Sequence, residues 1–411
     1  MKKSVITIVC VVFLLSGVVW GQTDKPTATH QPADSISLNI GGRSVTIHTF
    51  CVDKKGRLLV AAGGAQLVYR GETFEEVVTP SAIHVLDANG KELAVWAIEV
   101  TPEALAVGPD NSVYAAGKGK VVHLDETGNV LKTMESPHME GLPPMPPIPE
   151  ADEETAEQKE ARKKRLDEVT KEIKEFYQEY GKLDKELQKA KKADDEDAQI
   201  KLAAEMEKMV ADKYAPLQTE QNALYYSKHQ VAVQAYSAAL SSRSVKSIAV
   251  TEKYIFLCTP PPRGYAPEVW RLDADFANPK VIVKSLAGCC GQMNISAVDD
   301  KLVIPENARM KVHLCDAEGT RLESWGDTVT GFGSCCNPMN VAFDSAGNVL
   351  TSEASVGAIK RFKQDGTFID LVAQSKIVPG CKHTPIGMSP DGSKAYMLDI
   401  TRRNILVMEK E

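Results

Sequence analysis

Residues 335–373 read CCNPMNVAFDSAGNVLTSEASVGAIKRFKQDGTFIDLVA, and this stretch decides the fold. It contains four short apolar runs, with turn-forming residues at Asp344–Gly347 and at Asp365–Gly366. Short runs of this kind, bounded by Asp, Asn and Gly, are typical of β-strands joined by tight turns. We therefore predict a four-stranded antiparallel sheet here, with its strands at 341–343, 349–352, 358–362 and 368–372.

The same strand pattern recurs along the chain. Further copies begin at Phe50, Ala104, Ser247, Asn294 and Cys381, which makes six. The first copy has an insertion between its second and third strands, and the last copy ends after its third strand. Residues 35–40 (SISLNI) can supply the missing strand, and a ring closed in this way has no open sheet edge. The sequence thus predicts an all-β fold, a six-bladed β-propeller closed by N- and C-terminal strands.

Residues 338–368 resemble the NHL-repeat family of propellers. The resemblance rests on the pattern P-x-N-V-A-F-D-x-x-G-N-V, followed by A-I-x-R-F-x-x-D-G-x-F. It covers roughly residues 35–135 and 243–411. It implies blade architecture and leaves function open, because propellers include binding modules, lyases and lactonases.

The N-terminal residues predict export. Lys2 and Lys3 precede an apolar run from Val5 to Val19, as in a secretory signal peptide, and cleavage is expected near Gly21. An uncleaved anchor is the alternative. We expect a periplasmic or secreted protein without an integral membrane span after cleavage. The predicted divisions are a signal peptide (1–21), a disordered leader (22–34), two blades with the closing strand (35–137), a hinge with a helical insertion (138–242) and four blades (243–411).

Charge and composition narrow the range of partners. The net charge is −7, so the chain has no basic surplus of the kind that binds nucleic acid. A hydrophobic content of 43% supports a packed core. We expect a protein or small-molecule ligand at the propeller face, and no nucleic acid.

An insertion of different character separates the second and third copies. Residues 137–149 are rich in proline and predict an extended hinge. Apolar residues then alternate at spacings of three and four from Leu166 to Ala190, which is the seam of a coiled-coil helix. A second, looser stripe runs from Ile200 to Leu217. The pattern predicts an antiparallel helical hairpin, which acts either as a spacer or as a partner-binding arm or lid.

Cysteines cluster at equivalent places in the last three copies. Cys289 and Cys290, Cys335 and Cys336, and Cys381 with His383 all precede the first strand of a copy. In a propeller these connections open on one face, so we expect the residues to meet at one mouth of the central channel. Three hypotheses stay open: disulfide bonds, a metal site for Zn or Cu, which bind Cys and His, and a redox-active thiol pair.

Other polar residues recur in the same copies. Glu306, Glu353 and Asp399 follow the second strand of each copy, and Asn294 and Asn340 precede the first. Some lactonase-like propellers bind calcium through such asparagines and acids, but here the ring of these residues is incomplete. Turn capping, in which the carboxylate accepts bonds from backbone amides, is the alternative.

The sequence also predicts structural positions for the remaining cysteines and for two histidines. Cys51, Cys258 and Cys315 fall in strand patterns and are expected in the core. His84 and His313 align with each other in third strands and are expected at the surface.

These observations favour an exported binding or scaffolding module with a cysteine-rich channel mouth and a helical arm for ligand or partner contact. The alternative is a metal-dependent (Zn or Cu) lyase or hydrolase that uses the Cys/His cluster with Glu306, Glu353 or Asp399. The binding module is preferred because the chain shows no recognisable nucleophile–base pair or phosphate-binding loop.

Overall fold

The computed structural model describes ten segments of the chain. These are residues 27–40, 43–70, 73–147, 154–193, 195–225, 228–261, 266–288, 293–326, 332–333 and 336–411.

Strands of the first half of the chain form short antiparallel sheets. The first elements of the described residues are β1 (His30–Ser37) and a small ribbon of β2 (Asn39–Ile40) and β3 (Arg43–Ser44). The first four-stranded sheet contains β4 (Ile47–Val52), β5 (Leu58–Arg70), β6 (Thr73–Leu86) and β7 (Glu92–Ala97). The second contains β8 (Ala104–Val107), β9 (Val113–Gly117), β10 (Lys120–Leu124) and β11 (Val130–Glu135). The insertion predicted in the first copy extends the β5–β6 hairpin, whose pairing runs from Leu58–Leu86 to Arg70–Thr73.

Strands of the second half repeat the same order. The third sheet contains β12 (Ser247–Val250), β13 (Tyr254–Thr259), β14 (Glu268–Asp273) and β15 (Lys280–Val283). The fourth contains β16 (Ser296–Val298), β17 (Lys301–Glu306), β18 (Lys311–Asp316) and β19 (Arg321–Trp325). The last strands are β20 (Asn340–Phe343), β21 (Val349–Glu353), β22 (Ala358–Phe362), β23 (Phe368–Gln374), β24 (Ile386–Met388), β25 (Lys394–Asp399) and β26 (Asn404–Lys410).

The last strands form one eight-stranded sheet in the order β20-β21-β22-β23-β1-β26-β25-β24. Strand β1 pairs antiparallel with β26 from His30–Lys410 to Ser37–Asn404, and it touches β23 through His30 and Ala373. The strand begins at His30, inside the segment predicted as a disordered leader. His30 is buried, and its Nε2 lies 3.0 Å from the carbonyl oxygen of Gly392, which fixes the start of the strand five residues earlier than predicted from Ser35.

The sheets stand around a central channel. Neighbouring first strands touch in the order β4, β8, β12, β16, β20 and β24, and β24 also touches β4. All of these strands line a cavity of about 420 Å³. Antiparallel four-stranded units with their first strands around a shared channel define a β-propeller.

Burial falls from the second strand to the outermost strand, which explains why these strands differ in composition. The second strand β9 is buried throughout, whereas the outermost strand β11 is almost fully exposed. Apolar clusters lie between adjacent sheets rather than within one sheet, as in the group that joins Val85 and Trp96 to Leu105 and Val122. Cys258 and Cys315 are at most 1% exposed, which confirms their predicted core positions, and Cys51 packs against a core cluster while staying partly exposed.

Four α-helices occupy the part of the insertion that the structure describes. They are α1 (Ala156–Lys192), α2 (Glu196–Met209), α3 (Ala215–Tyr225) and α4 (Lys228–Ser242), with a π-helical turn at Val210–Tyr214 between α2 and α3. Helix α1 contacts both α2 and α3, and contacts such as Arg165–Glu220 and Glu179–Lys213 show an antiparallel pair. The helical hairpin is therefore present; its coiled-coil character stays a prediction. No helix of the described segments is long and apolar enough to cross a membrane.

Candidate functional site

The three predicted acids hold the loops that enter their own sheets. Glu306 Oε1 accepts the N–H of Ala287 at 2.9 Å, Glu353 Oε2 accepts the N–H of Gly333 at 3.1 Å, and Asp399 Oδ2 accepts the N–H of Val378 at 3.0 Å. Each acid is 1% exposed and ends the second strand of its sheet. The carboxylates therefore fasten the loops that lead to the first strands.

Each acid also has a cationic or imidazole partner. Glu306 binds Arg309 at 2.8 Å and accepts a 2.8 Å bond from His313 Nε2, Glu353 pairs with Lys360, and Asp399 pairs with Arg402 at 3.3 Å. Burial alone would raise the pKa of Glu306, but the bonds from Ala287 and His313 outweigh it and leave this pKa below its usual value. All three acids are thus bonded to other groups of the fold.

Two histidines that the sequence placed at the surface are buried. His84 and His313 are each 3% exposed, so that prediction was wrong. His313 bridges Glu306 and the Ser324 hydroxyl, and His84 Nδ1 lies 2.7 Å from Glu92. Their third strands lie inside the sheets, between neighbours. Both ring nitrogens of His313 have hydrogen-bond partners, whereas Nε2 of His84 has none among the described residues.

The predicted asparagines join neighbouring first strands. Asn294 Oδ1 accepts the Ser247 hydroxyl at 2.6 Å, which ties β12 to the start of β16. Asn340 Oδ1 accepts the N–H of Thr384 at 2.8 Å, and its Nδ2 lies 3.4 Å from His383 Nδ1. Both side chains therefore link sheets close to the channel.

The predicted cysteine cluster is described in part. Cys289, Cys290 and Cys335 lie outside the described residues. Cys336 and Cys381 meet across two inter-sheet loops, with 2.9 Å between their sulfur atoms. Within the described residues no three His, Cys, Asp or Glu side chains form a group that could hold a metal ion. The Zn or Cu site remains a prediction, as do the roles of the cluster.

A pocket of about 340 Å³ opens at the channel mouth, beside the foot of the helical insertion. We call it the mouth pocket, and its lining residues are His48, Thr101, Glu103, Lys118, Leu240, Ser241, Ser244, Lys246, His383 and Ile400. Residues from several sheets and from helix α4 meet here. Of these residues, only His383 was predicted from the sequence as a site residue.

Two histidines of the mouth pocket are neutral donors and acceptors. His48 sits at a β-bulge of β4, and its Nε2 donates to the carbonyl oxygen of Gly63 at 2.6 Å, which leaves Nδ1 as an acceptor. Asn340 Nδ2 must donate to His383 Nδ1, because its Oδ1 already accepts a backbone N–H, so Nε2 of His383 carries the proton. Burial, Lys246 and His48 together lower the pKa of His383 to about 4.

The pocket also contains one carboxylate. Glu103 precedes β8, and its Oε2 accepts the backbone N–H of Val245 at 3.0 Å and that of Lys118 at 3.4 Å. Burial raises the pKa of Glu103, although these two amides and the nearby Lys246 and Lys118 charges oppose the rise. Glu103 fixes the end of the insertion against the second sheet and brings a negative charge beside two ammonium groups.

Lys118 and Lys246 are the cations of the mouth pocket. Lys118 occupies the tight turn between β9 and β10 with φ of 45°, and Lys246 directly precedes β12. No carboxylate of the described residues lies within salt-bridge distance of either ammonium group. Two such cations in a concave site attract an anion, because the ligand charge is stabilised without breaking an existing ion pair.

Comparisons with known proteins find only distant structural similarities. No protein-family model matches the chain, and no curated protein matches it. Solved structures that resemble it include the calcium-binding protein regucalcin from Agrobacterium tumefaciens, with 12% identity over 93% of this chain and 95% of that chain and a TM-score of 0.45. Virginiamycin B lyase from Staphylococcus aureus has 8% identity over 92% and 99%, with a TM-score of 0.41. A gluconolactonase from Xanthomonas campestris has 9% identity over 94% and 99%, with a TM-score of 0.43. Identities and TM-scores this low say nothing about what this chain binds or catalyses.

Proposed function

We propose that this protein is an exported, six-bladed β-propeller that binds a small anionic molecule in the mouth pocket. The contacts from β4 through β24 and back to β4 support six blades, and the pairing of β1 with β26 supports closure by the two ends of the chain. Export rests on the N-terminal signal pattern described above.

The proposed binding function rests on one observation, which is the positive charge of Lys118 and Lys246 in the mouth pocket. Lys118 and Lys246 face a cavity of about 340 Å³ together with the N–H of His383. Carboxylate and phosphate oxygens are the acceptors that ammonium and imidazole N–H groups bind. The volume suits a small organic acid or a small phosphorylated molecule, because ligand sites of small molecules start at about 300 Å³.

The helical arm takes part in this site. Leu240 and Ser241 belong to α4 and line the pocket, so the last helix of the insertion forms one wall. A change in the position of the arm alters the pocket directly. The arm therefore serves as the element through which a bound ligand and a partner protein affect each other.

Binding of defined anions tests the proposal. Calorimetric titration of the purified protein with citrate, succinate and inorganic phosphate, at low ionic strength, is expected to give saturable binding to at least one of them. Lys246→Met and Lys118→Met are each expected to weaken this binding about 10-fold, which corresponds to about 1.4 kcal/mol. Lys253→Met is the matched control, because Lys253 is exposed and paired with Asp300 away from the pocket.

Two results contradict the proposal. If none of the three anions binds, the proposed binding function is wrong. If the Lys246→Met and Lys253→Met variants bind the anion equally well, the anion binds outside the mouth pocket. Elemental analysis distinguishes this proposal from the alternative, a metal-dependent lyase or hydrolase, because the alternative requires stoichiometric Zn or Cu in the purified protein.

A further inference from the structure

Two cysteine side chains on separate loops meet beside the channel mouth. Cys336 precedes β20 and Cys381 precedes β24, and their sulfur atoms are 2.9 Å apart. Two sulfur atoms in simple van der Waals contact stay farther apart than this. The loops thus bring the two sulfur atoms within reach of each other for a disulfide bond.

The surrounding hydrogen bonds fix this approach. Asn340 Oδ1 accepts the N–H of Thr384, and the Ser352 hydroxyl donates to the carbonyl oxygen of Thr384 at 2.9 Å. Both contacts join the loop of Cys381 to the sheet that follows Cys336. Asn337, next to Cys336, also bonds Ser355 and the backbone N–H of Ala354. The position of each cysteine is therefore set by its neighbours rather than by the sulfur contact itself.

Accessibility differs between the two thiols in a way that suits thiol–disulfide exchange. Cys381 is exposed, whereas Cys336 is 5% exposed. An oxidant in solution reaches Cys381 first, and the buried Cys336 is positioned to resolve the intermediate.

We propose that Cys336 and Cys381 form a reversible disulfide bond that joins the two loops, with a small-molecule disulfide as the oxidant. The Cys381 thiolate attacks the oxidant RSSR, which forms a mixed disulfide and releases one RS⁻. The Cys336 thiolate then attacks the Cys381 sulfur and releases the second RS⁻. Two protein thiols are oxidised to one disulfide, and RSSR is reduced to two RSH once the released thiolates take up the two protons.

Oxidation with glutathione disulfide, followed by alkylation, proteolysis and mass spectrometry, tests this bond in the full chain. We expect a peptide pair cross-linked through Cys336 and Cys381 that separates on reduction with dithiothreitol. Because the bond closes a long loop of the chain, the melting temperature of the oxidised protein is expected to exceed that of the reduced protein by roughly 5 °C.

Variants make the test specific. Cys381→Ser is expected to abolish both the cross-link and the redox-dependent shift in melting temperature, and it is suitable because an exposed side chain is replaced. Lys376→Ser, an exposed position on the same loop, should retain both. The proposal is overturned if Cys336 is recovered in a bond with Cys335, Cys289 or Cys290, or if Cys336 and Cys381 stay open to alkylation after oxidation.

Discussion

The two halves of the channel mouth use charged residues differently. In the C-terminal half, Glu306, Glu353 and Asp399 end the second strands, and each is buried and bonded to a loop amide. In the N-terminal half, the corresponding strands β9 and β13 end at Gly117 and Thr259, and the charged groups Lys118 and Lys246 face the pocket. The second strands thus end in acids that maintain the fold in the C-terminal half, whereas in the N-terminal half they end in uncharged residues and lysines of nearby turns and loops face the pocket.

Gly117 shows how the N-terminal half holds its loop without a carboxylate. A Cβ atom at this position would lie 2.0 Å from the carbonyl oxygen of Thr101, so no side chain fits. The loop packs directly on the strand, and the backbone N–H of Glu103 donates to Ala116 at 2.8 Å. A backbone hydrogen bond thus holds this loop in place of a carboxylate at the end of the second strand. The side chain of Glu103 can therefore lie at the pocket.

The largest expected effect comes from removing an acid of the C-terminal half. Glu306→Ala leaves Arg309, His313 and the Ala287 N–H without their shared acceptor in a buried site. Breaking a buried ion pair in this way costs several kcal/mol, so we expect a loss of about 4 kcal/mol in the free energy of unfolding, measured by urea denaturation.

Glu323→Ala is the control for that variant. Glu323 lies on the outer strand β19 of the same sheet and is exposed, so its loss should change the free energy of unfolding by less than about 0.5 kcal/mol. Similar losses in both variants would show that the buried acids have no special structural role.

A second, slightly smaller effect concerns pH and the pocket histidine. The pKa of His383 is lowered from 6.5 to about 4 by burial, and also by the nearby side chains of Lys246 and His48. Between these two pH values the unfolded chain binds a proton at His383 that the folded protein does not. The free energy of unfolding should therefore be unaffected above about pH 6.5 and fall by about 3 kcal/mol as the pH approaches 4.

Replacement of this histidine separates its contribution from the rest of the acid response. His383→Gln is expected to remove a large part of the decrease between pH 6.5 and 4 in chemical denaturation series. His138→Gln is the comparison, because burial also lowers the pKa of His138 to about 4 while the residue lies outside the pocket. Both variants should flatten the pH profile, and the His383 variant alone should alter anion binding.

The smallest effect on stability is expected for the acid of the N-terminal half. Glu103→Gln keeps an oxygen to accept the Val245 and Lys118 amides, so the free energy of unfolding should change by less than about 1 kcal/mol. Removal of the negative charge beside Lys118 and Lys246 should tighten anion binding several-fold in calorimetric titration. A large destabilisation would show that Glu103 maintains the fold, as the acids of the C-terminal half do. Weaker anion binding would show that the charge of Glu103 does not oppose the ligand.

Much of the propeller could be predicted from repeated local patterns. Strands separated by Asp-Gly or Asn-Gly turns recur at similar intervals, and such turns constrain the backbone wherever they occur. The recurrence of Glu306, Glu353 and Asp399 also indicated a shared structural position. Their bonds to backbone amides agree with the turn-capping alternative, whereas a ligand role for these acids stays a prediction.

The mouth pocket could not be predicted in the same way. Its residues come from connections that differ from copy to copy, because Lys118 lies in a hairpin turn, His48 at a β-bulge, and Leu240 in the insertion. The charge of Lys118 indicates a binding site only after folding has brought these distant segments together. Glu103 and Lys246 each directly precede a first strand, in connections of the same kind as those that contain the cysteines in the later copies; comparing these connections in every copy would have identified both.

The pairing of β1 with β26 has a consequence for folding. His30 pairs with Lys410, so two strands that are far apart in the sequence lie side by side in one sheet. The four-stranded sheets are built from consecutive hairpins, whose contacts are local in the sequence. Because the loop that joins β1 to β26 costs the most entropy to close, we expect this pairing to form later in folding than the hairpins do.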